Sequence, residues 1–368
     1  MYSKIETLLV EIPTIRPHKM AVATMQTQTL VLVKITTQDG FVGWGEATTI
    51  GGLGYGEESP ESIKTNIETY FAPLLQQTKG NVSSISNTLK KNINGNRFAK
   101  CAIQTALLDI EAQRLNLPLS EVLGGRLRDS IPVLWVLASG NTEKDIAEAK
   151  EMIARKRHNI FKLKIGSRKI EEDVEHVLAI KKALGKDISI RVDVNRAWSE
   201  LDAIKGIQAL QDGGIDLIEQ PCAIDNIDAM ERLTRKFDIA IMADESLMGP
   251  NTAYHLAKRN AASVFAVKVA QSGGLIEATE VNTVAKLAGI DLYGGTMLEG
   301  PVGTIASAHT FSTFETLAYG TELFGPLLLT EEILKTPLQY ENFELVIPHS
   351  AGLGIQLDEN KLDQFRIR

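Results

Sequence analysis

Phe161-Lys162-Leu163-Lys164-Ile165-Gly166 reads as a β-strand that carries two lysines two residues apart. Side chains alternate along a strand, so Lys162 and Lys164 point to the same side. Two ammonium groups on one face repel each other unless carboxylates lie opposite. Taken alone, the six residues fit an exposed edge strand that lysine guards against aggregation. The residues on either side decide against that reading.

From Ile131 to Leu323 short apolar stretches alternate with longer helical patterns. The predicted strands are 133–138, 160–165, 188–194, 216–219, 239–244, 264–269, 290–294 and 317–323, with helices in each gap, clearest at 171–184 and 275–287. Such alternation is the signature of a closed parallel barrel. A doubly wound open sheet is the alternative, but it announces itself by a glycine fingerprint after its first strand. None follows 133–138.

Strands of a parallel barrel are buried on both sides and should be almost wholly apolar. Here they carry charge at their ends: Lys162 and Lys164, then Arg191-Val192-Asp193-Val194-Asn195, Glu219-Gln220-Pro221, Asp244-Glu245-Ser246, Lys268 and Glu322. Asp193, Glu219, Asp244 and Lys268 follow one another at 26, 25 and 24 residues, the length of one β/α unit, which gathers them at the C-terminal mouth where these barrels hold their active sites. An isolated acid at a strand end is an N-cap or a surface residue, and that reading is kept for Gln220 and Glu245. Three converging carboxylates would repel in a partly dry site without a cation. Hard oxygen ligands with no Cys or His fit Mg2+ or Mn2+ rather than zinc. Lysines beside a cation and beside each other are expected to have depressed pKa values and to exchange protons near neutrality. The reaction class is proton transfer at the carbon alpha to a carboxylate, with a metal stabilising the charge that develops.

The N-terminal section has a different pattern. Three strands, 4–12, 28–37 and 41–47, precede helices at about 60–75 and 97–116. Ser59-Pro60 is a helix start with proline in the first turn. The glycine-rich run Ile50-Gly51-Gly52-Leu53-Gly54-Tyr55-Gly56 is a loop, and it lacks the lysine ending and context of a phosphate loop. His18 and Cys101 are assigned packing or solvent roles. The tail carries a strand at 343–347 and is expected to pack back on the first section, which divides the chain into 1–128, 129–325 and 326–368.

A net charge of −7 argues against a nucleic-acid surface. Two cysteines outside any metal spacing fit a reducing, cytoplasmic setting. No signal peptide and no bilayer-length apolar run is visible.

Lys162-Leu163-Lys164, Asp193-Val194-Asn195, Glu219-Gln220-Pro221, Asp244-Glu245-Ser246 and Lys268 together resemble the enolase superfamily, and within it the muconate lactonizing subgroup. The resemblance runs over essentially the whole chain. It implies an α/β fold, a (β/α)7β TIM-like barrel with an N-terminal α+β capping domain completed by the C-terminal tail. It implies Asp193, Glu219 and Asp244 as ligands of Mn2+ or Mg2+, Lys164 as acid/base, Lys162 as its partner, Lys268 as a second base or cationic stabiliser, Asn195 and Glu245 supporting the ligands, and Glu322 bordering the substrate. The runs Ile50 to Pro60 and Gly320 to Pro326 look like those of bacterial muconate cycloisomerases of the catechol branch. That family would have Ile50 and Tyr55 close over the substrate, with Phe324 lining its pocket. It implies reversible lactonization of cis,cis-muconate, a small dicarboxylate, by a homo-oligomer, an octamer by resemblance. Chloromuconate cycloisomerases, dipeptide epimerases and o-succinylbenzoate synthases share the barrel site and remain alternatives, as does a metal-binding scaffold without turnover. Only one acid in Gly320-Thr321-Glu322 weakens the epimerase reading, since epimerases usually show an Asp-x-Asp pair near the eighth strand.

Overall fold

The computed structural model describes residues 2–19 and 24–367. Met1 and Arg368, the two ends of the sequence reading, fall outside them.

Three antiparallel strands open the chain: β1 (Tyr2–Lys19), β2 (Thr24–Thr37) and β3 (Val42–Thr48), in the order β1-β2-β3. The first two are longer than their apolar patterns predict, because pairing resumes beyond an irregularity between Pro13 and His18, at His18–Met25 and Lys19–Thr24. The helix Arg97–Leu115 covers this sheet. Its close approach needs Gly43 and Gly45: a Cβ at either would lie 2.1 Å from the Ala106 carbonyl oxygen or 1.8 Å from that of Ala102. The helix expected at about 60–75 starts at Ser59 with a capping box and Pro60 in its first turn. It widens into a π-turn at Ile67–Phe71 before Ala72–Gln77. Pro73 accounts for the break, since its missing N–H leaves the Thr69 carbonyl without a helical partner.

The second layer is a parallel sheet of seven strands: β5 (Trp135–Leu137), β6 (Ile160–Lys164), β7 (Ser189–Asp193), β8 (Leu217–Glu219), β9 (Ala240–Ala243), β10 (Val264–Val267) and β11 (Asp291–Gly294), after a short β4 (Ser130–Pro132). Each strand pairs with its sequence neighbour, so the sheet runs from β5 to β11 in chain order. The eighth strand expected at 317–323 shrinks to a bridging segment. Thr321 bridges both Gly294 and Val133, which closes the ring. The backbone turns left-handed at Gly320 (φ 64°), so the run before it cannot continue the ladder.

Register explains why the charges converge. Lys164 pairs with Asp193 and Asp193 with Glu219. Glu219 pairs with Met242, two residues short of Asp244. Residues two apart on a strand share a face, and a closed barrel staggers its strands, so Asp244 points inward with the others.

The tail forms a hairpin, β12 (Tyr340–Glu341) and β13 (Glu344–Val346), that pairs with β4. It then runs over the first section: the Leu353 N–H donates to Asp109 (2.9 Å) and the Ile367 N–H to the Leu9 carbonyl (2.9 Å). Glu46 of β3 ties that section to the barrel. Its carboxyl accepts the N–H groups of Gly300 (2.5 Å) and Gly303 (2.8 Å) at the start of the helix Pro301–Ser312.

Candidate active site

Lys162 has no exposed surface, so the edge-strand reading fails. Its Nζ lies 2.6 Å from Glu219 Oε2, pairs with Glu322, and stands 5.4 Å from the centroid of the Tyr293 ring. Lys164, nearer the mouth, pairs with Asp193 and keeps some exposure. Lys268, one residue beyond β10, lies 2.8 Å from Asp244 Oδ2 and 2.8 Å from the Tyr55 hydroxyl. Tyr55 also donates to Asp244. Asn195 donates its backbone N–H (2.8 Å) and its Nδ2 (3.2 Å) to Asp193, and its Nδ2 also reaches Glu245 (3.3 Å).

One narrow cavity sits over these groups. Lys164, Asn195, Glu219, Lys268, Glu322 and Phe324 line it from the barrel, and Ile50 and Tyr55 from the glycine-rich loop. Lys162, Asp193 and Asp244 lie just below, bonded to that lining. The eleven residues singled out in the sequence therefore meet in one place. Four others complete the wall: His18, Val136, Thr296 and Leu298. His18, assigned above to packing or solvent, is a correction. The far end of β1 folds back to the barrel mouth and buries it against Lys164. Burial and the neighbouring Lys164 and Arg16 charges push its pKa down to about 3. A lone His in a polar stretch carries no signal of such a fold-back.

Arg16, two residues earlier, holds this strand end in place. Its Nη2 donates to Glu148 (3.0 Å) and to the Val136 carbonyl (3.2 Å). Trp135 donates to the same carboxylate (2.8 Å), and its ring packs edge-on against Phe324 at 5.3 Å. Gln220 and Glu245, read above as caps or surface residues, are both buried and are the other correction of placement.

The electrostatics also differ from expectation. Burial disfavours charge on all three lysines, yet the carboxylates in contact outweigh it and hold each ammonium above its ordinary range: Glu219 and Glu322 for Lys162, Asp193 for Lys164, Asp244 for Lys268. The depressed values expected from the sequence assume a cation already on those carboxylates. The acids show the converse strain. Burial and the Asp193 charge push Glu219 well up, and burial with Asp244 and Asp193 pushes Glu245 to about 8. Burial is the larger cause for both, and the neighbouring carboxylates add to it.

Among the described residues no three acidic, His or Cys side chains stand as a ready-made metal cage, since lysines occupy inner oxygens of Asp193, Glu219 and Asp244. The donor set still fits a hard cation. Asp244 Oδ1, Glu245 Oε2 and Asn195 Oδ1 are buried oxygens without a hydrogen-bond partner, an arrangement that costs free energy unless something positive satisfies it.

Comparison with known proteins agrees with this geometry. Residues 4–124 match the family model "Mandelate racemase / muconate lactonizing enzyme, N-terminal domain", and residues 144–361 match "Enolase C-terminal domain-like". The chain is 73% identical to muconate cycloisomerase 1 of Acinetobacter baylyi over all of both chains. It is 42% identical to a chloromuconate cycloisomerase of Cupriavidus necator over 98% of each. The solved muconate lactonizing enzyme of Pseudomonas fluorescens complexed with muconolactone superposes with a TM-score of 0.97 at 53% identity, covering 100% of this chain and 99% of that one. With both domain models matched in order and the barrel's lysines and acids converging at one mouth, the chain belongs to the mandelate racemase/muconate lactonizing enzyme family of the enolase superfamily.

Proposed function

We propose that this chain is a muconate cycloisomerase acting on cis,cis-muconate. The observation that carries the reading is the meeting of Lys164 with Asp193, Glu219 and Asp244 under a loop that brings Ile50 and Tyr55 over them. The identity to muconate cycloisomerase 1, well above that to the chloromuconate enzyme, favours the unchlorinated dianion.

In this reading Asp193, Glu219 and Asp244 hold Mn2+ or Mg2+, which when bound supplies positive charge to the substrate carboxylate that receives electrons. The same charge would offset the carboxylates that keep the lysines protonated. One carboxylate of the dianion adds to the diene. The electron pair moves to the carbon next to the other carboxylate, and Lys164 Nζ gives that carbon its proton. Lys164 is placed for this: it lines the cavity, beside Asp193. Lys162, bound to Glu219 and Glu322, fixes the floor of the site. Lys268 holds Tyr55 and Asp244 together. Ile50, Tyr55, His18 and Phe324 exclude water from the carbanionic carbon. Asn195 steadies Asp193. The units 1–128, 129–325 and 326–368 are the cap, the barrel and the returning tail, and the enzyme works in the cytoplasm as a homo-oligomer. Among the described residues no helix is long and apolar enough to cross a membrane.

The test is loss of diene absorbance when the protein meets cis,cis-muconate with Mn2+, abolished by a chelator. Turnover of a chlorinated muconate alone would move the assignment to the chloromuconate branch. No turnover of either would overturn it.

A further inference from the structure

The Asp244 carboxylate follows the end of β9, on a tight turn in which the Leu247 N–H donates to the Asp244 carbonyl (2.9 Å). Two buried glutamines grip this turn from the strands on either side. Gln220, directly after Glu219 on β8, offers one side-chain oxygen to three donors: the Asp244 N–H (3.0 Å), the Ser246 N–H (3.2 Å) and the Ser246 hydroxyl (2.9 Å). Its Nε2 is held by the Cys222 carbonyl (3.1 Å), which fixes the amide's orientation. Gln271, three residues after Lys268 beyond β10, takes the opposite side of the turn. Its Nε2 donates to the carbonyls of Asp244 (2.9 Å) and Leu247 (2.8 Å). One glutamine satisfies the turn's donors and the other its acceptors.

Gln220 adopts this place at a cost. Its φ of 36° lies in the left-handed region that non-glycine side chains avoid. Such strain persists where the surroundings over-determine it, commonly beside functional groups. Its backbone is fixed at both ends, the N–H to the Met242 carbonyl (2.9 Å) and the carbonyl to the Arg196 N–H (2.8 Å). Asp244 itself keeps one oxygen, Oδ1, with no partner. The turn is therefore held by backbone and amide contacts that leave that oxygen free.

We infer that Gln220 and Gln271 are positioning residues that aim the Asp244 carboxylate at a divalent cation. This rests on the metal reading above. It also gives Glu219-Gln220-Pro221 and Asp244-Glu245-Ser246 a common purpose: the second residue of one motif is the receptor for the first and third residues of the other.

The experiment measures Mn2+ affinity by calorimetry on the full chain, with a thermal melt of each variant. Gln220→Met and Gln271→Met keep volume and remove the hydrogen bonds. Outer contacts of this kind are worth ~10–100-fold in metal affinity, and that loss is expected in variants that still melt cooperatively. Ser246→Ala removes one of the three donors to Gln220 and should cost less. If Gln220→Met does not fold, Gln271→Met and Ser246→Ala decide. A purely structural role would lower the melting temperature and leave affinity per folded molecule within about 2-fold, and that result overturns the inference while the metal reading stands. Failure of the native chain itself to bind Mn2+ overturns both.

Discussion

Lys162 and Lys164 share a face and differ in their surroundings, so substitution should separate them. Lys162 is sealed between Glu219, Glu322 and the Tyr293 ring, whereas Lys164 touches Asp193 at the edge of the cavity. Lys164→Ala removes the proposed proton donor and should lower turnover by at least the ~10²–10⁴-fold typical of general acid catalysis. Mn2+ affinity by calorimetry should be retained, and near-normal lactonization would refute the acid/base role. Lys162→Met leaves two buried carboxylates without their cation. Breaking such a buried pair costs about 3–5 kcal/mol, so in metal-free buffer its urea midpoint should fall further than that of Lys164→Ala. Equal midpoints would mean that Lys162 does not anchor the floor. Asp193→Asn and Glu219→Gln should instead weaken Mn2+ binding, and unchanged affinity would remove them from the ligand set.

At the scale of elements, β3 meets the helix Pro301–Ser312 through Glu46, and this joint should respond to pH. Burial, reinforced by the Glu299 charge, pushes the Glu46 carboxyl from 4.5 up to about 8 despite the two N–H groups it accepts. The folded state then holds a proton that the unfolded state has released. Stability contributed here is level below about pH 4.5, declines as pH rises towards 8, and is level again above. Urea unfolding between about pH 5 and pH 8 should show that decline flattened in Glu46→Gln. Glu245 also titrates near 8 in the folded state, but it is present in both proteins, so their difference reports Glu46 together with its charged neighbour Glu299. An unchanged slope would mean that Glu46 is ionised at the joint. The barrel elements were legible in the sequence because parallel strands must be apolar, which makes Asp193, Glu219 and Asp244 conspicuous, and because β/α units repeat at nearly constant length. The eighth strand was over-read because left-handed Gly320 ends pairing where apolarity alone would continue it. The extension of β1 through His18 depends on pairing with β2 across a polar stretch, which hydrophobic pattern does not record. Gln220 and Gln271 were illegible as site residues because an amide's value lies in which backbone groups it reaches.

At the scale of the whole molecule, the site is assembled from two sections of the chain. The barrel supplies the charges, and the N-terminal section supplies His18, Ile50 and Tyr55 over them. Tyr55 is tied to the barrel by Asp244 and Lys268, whereas His18 reaches the mouth on a strand end and its buried Nδ1 has no hydrogen-bond partner. Arg16 is what fastens that end: it joins β1 to Glu148 and to the Val136 carbonyl, beside the Trp135 ring that backs Phe324. Arg16 and Glu148 both keep about a fifth of their side-chain surface in water, so the pair is worth only about 1 kcal/mol. That is too little to decide folding in a chain of 368 residues, and it is enough to shift the closure of one segment about 5-fold. Arg16→Gln should therefore raise KM for muconate by about that factor, with kcat within about 2-fold and Mn2+ affinity unchanged, because the groups proposed to move the proton and hold the cation are all anchored in the barrel. A fall in kcat with KM unchanged would place Arg16 in the chemistry. A drop in melting temperature with both constants intact would make the Arg16 latch a piece of scaffold.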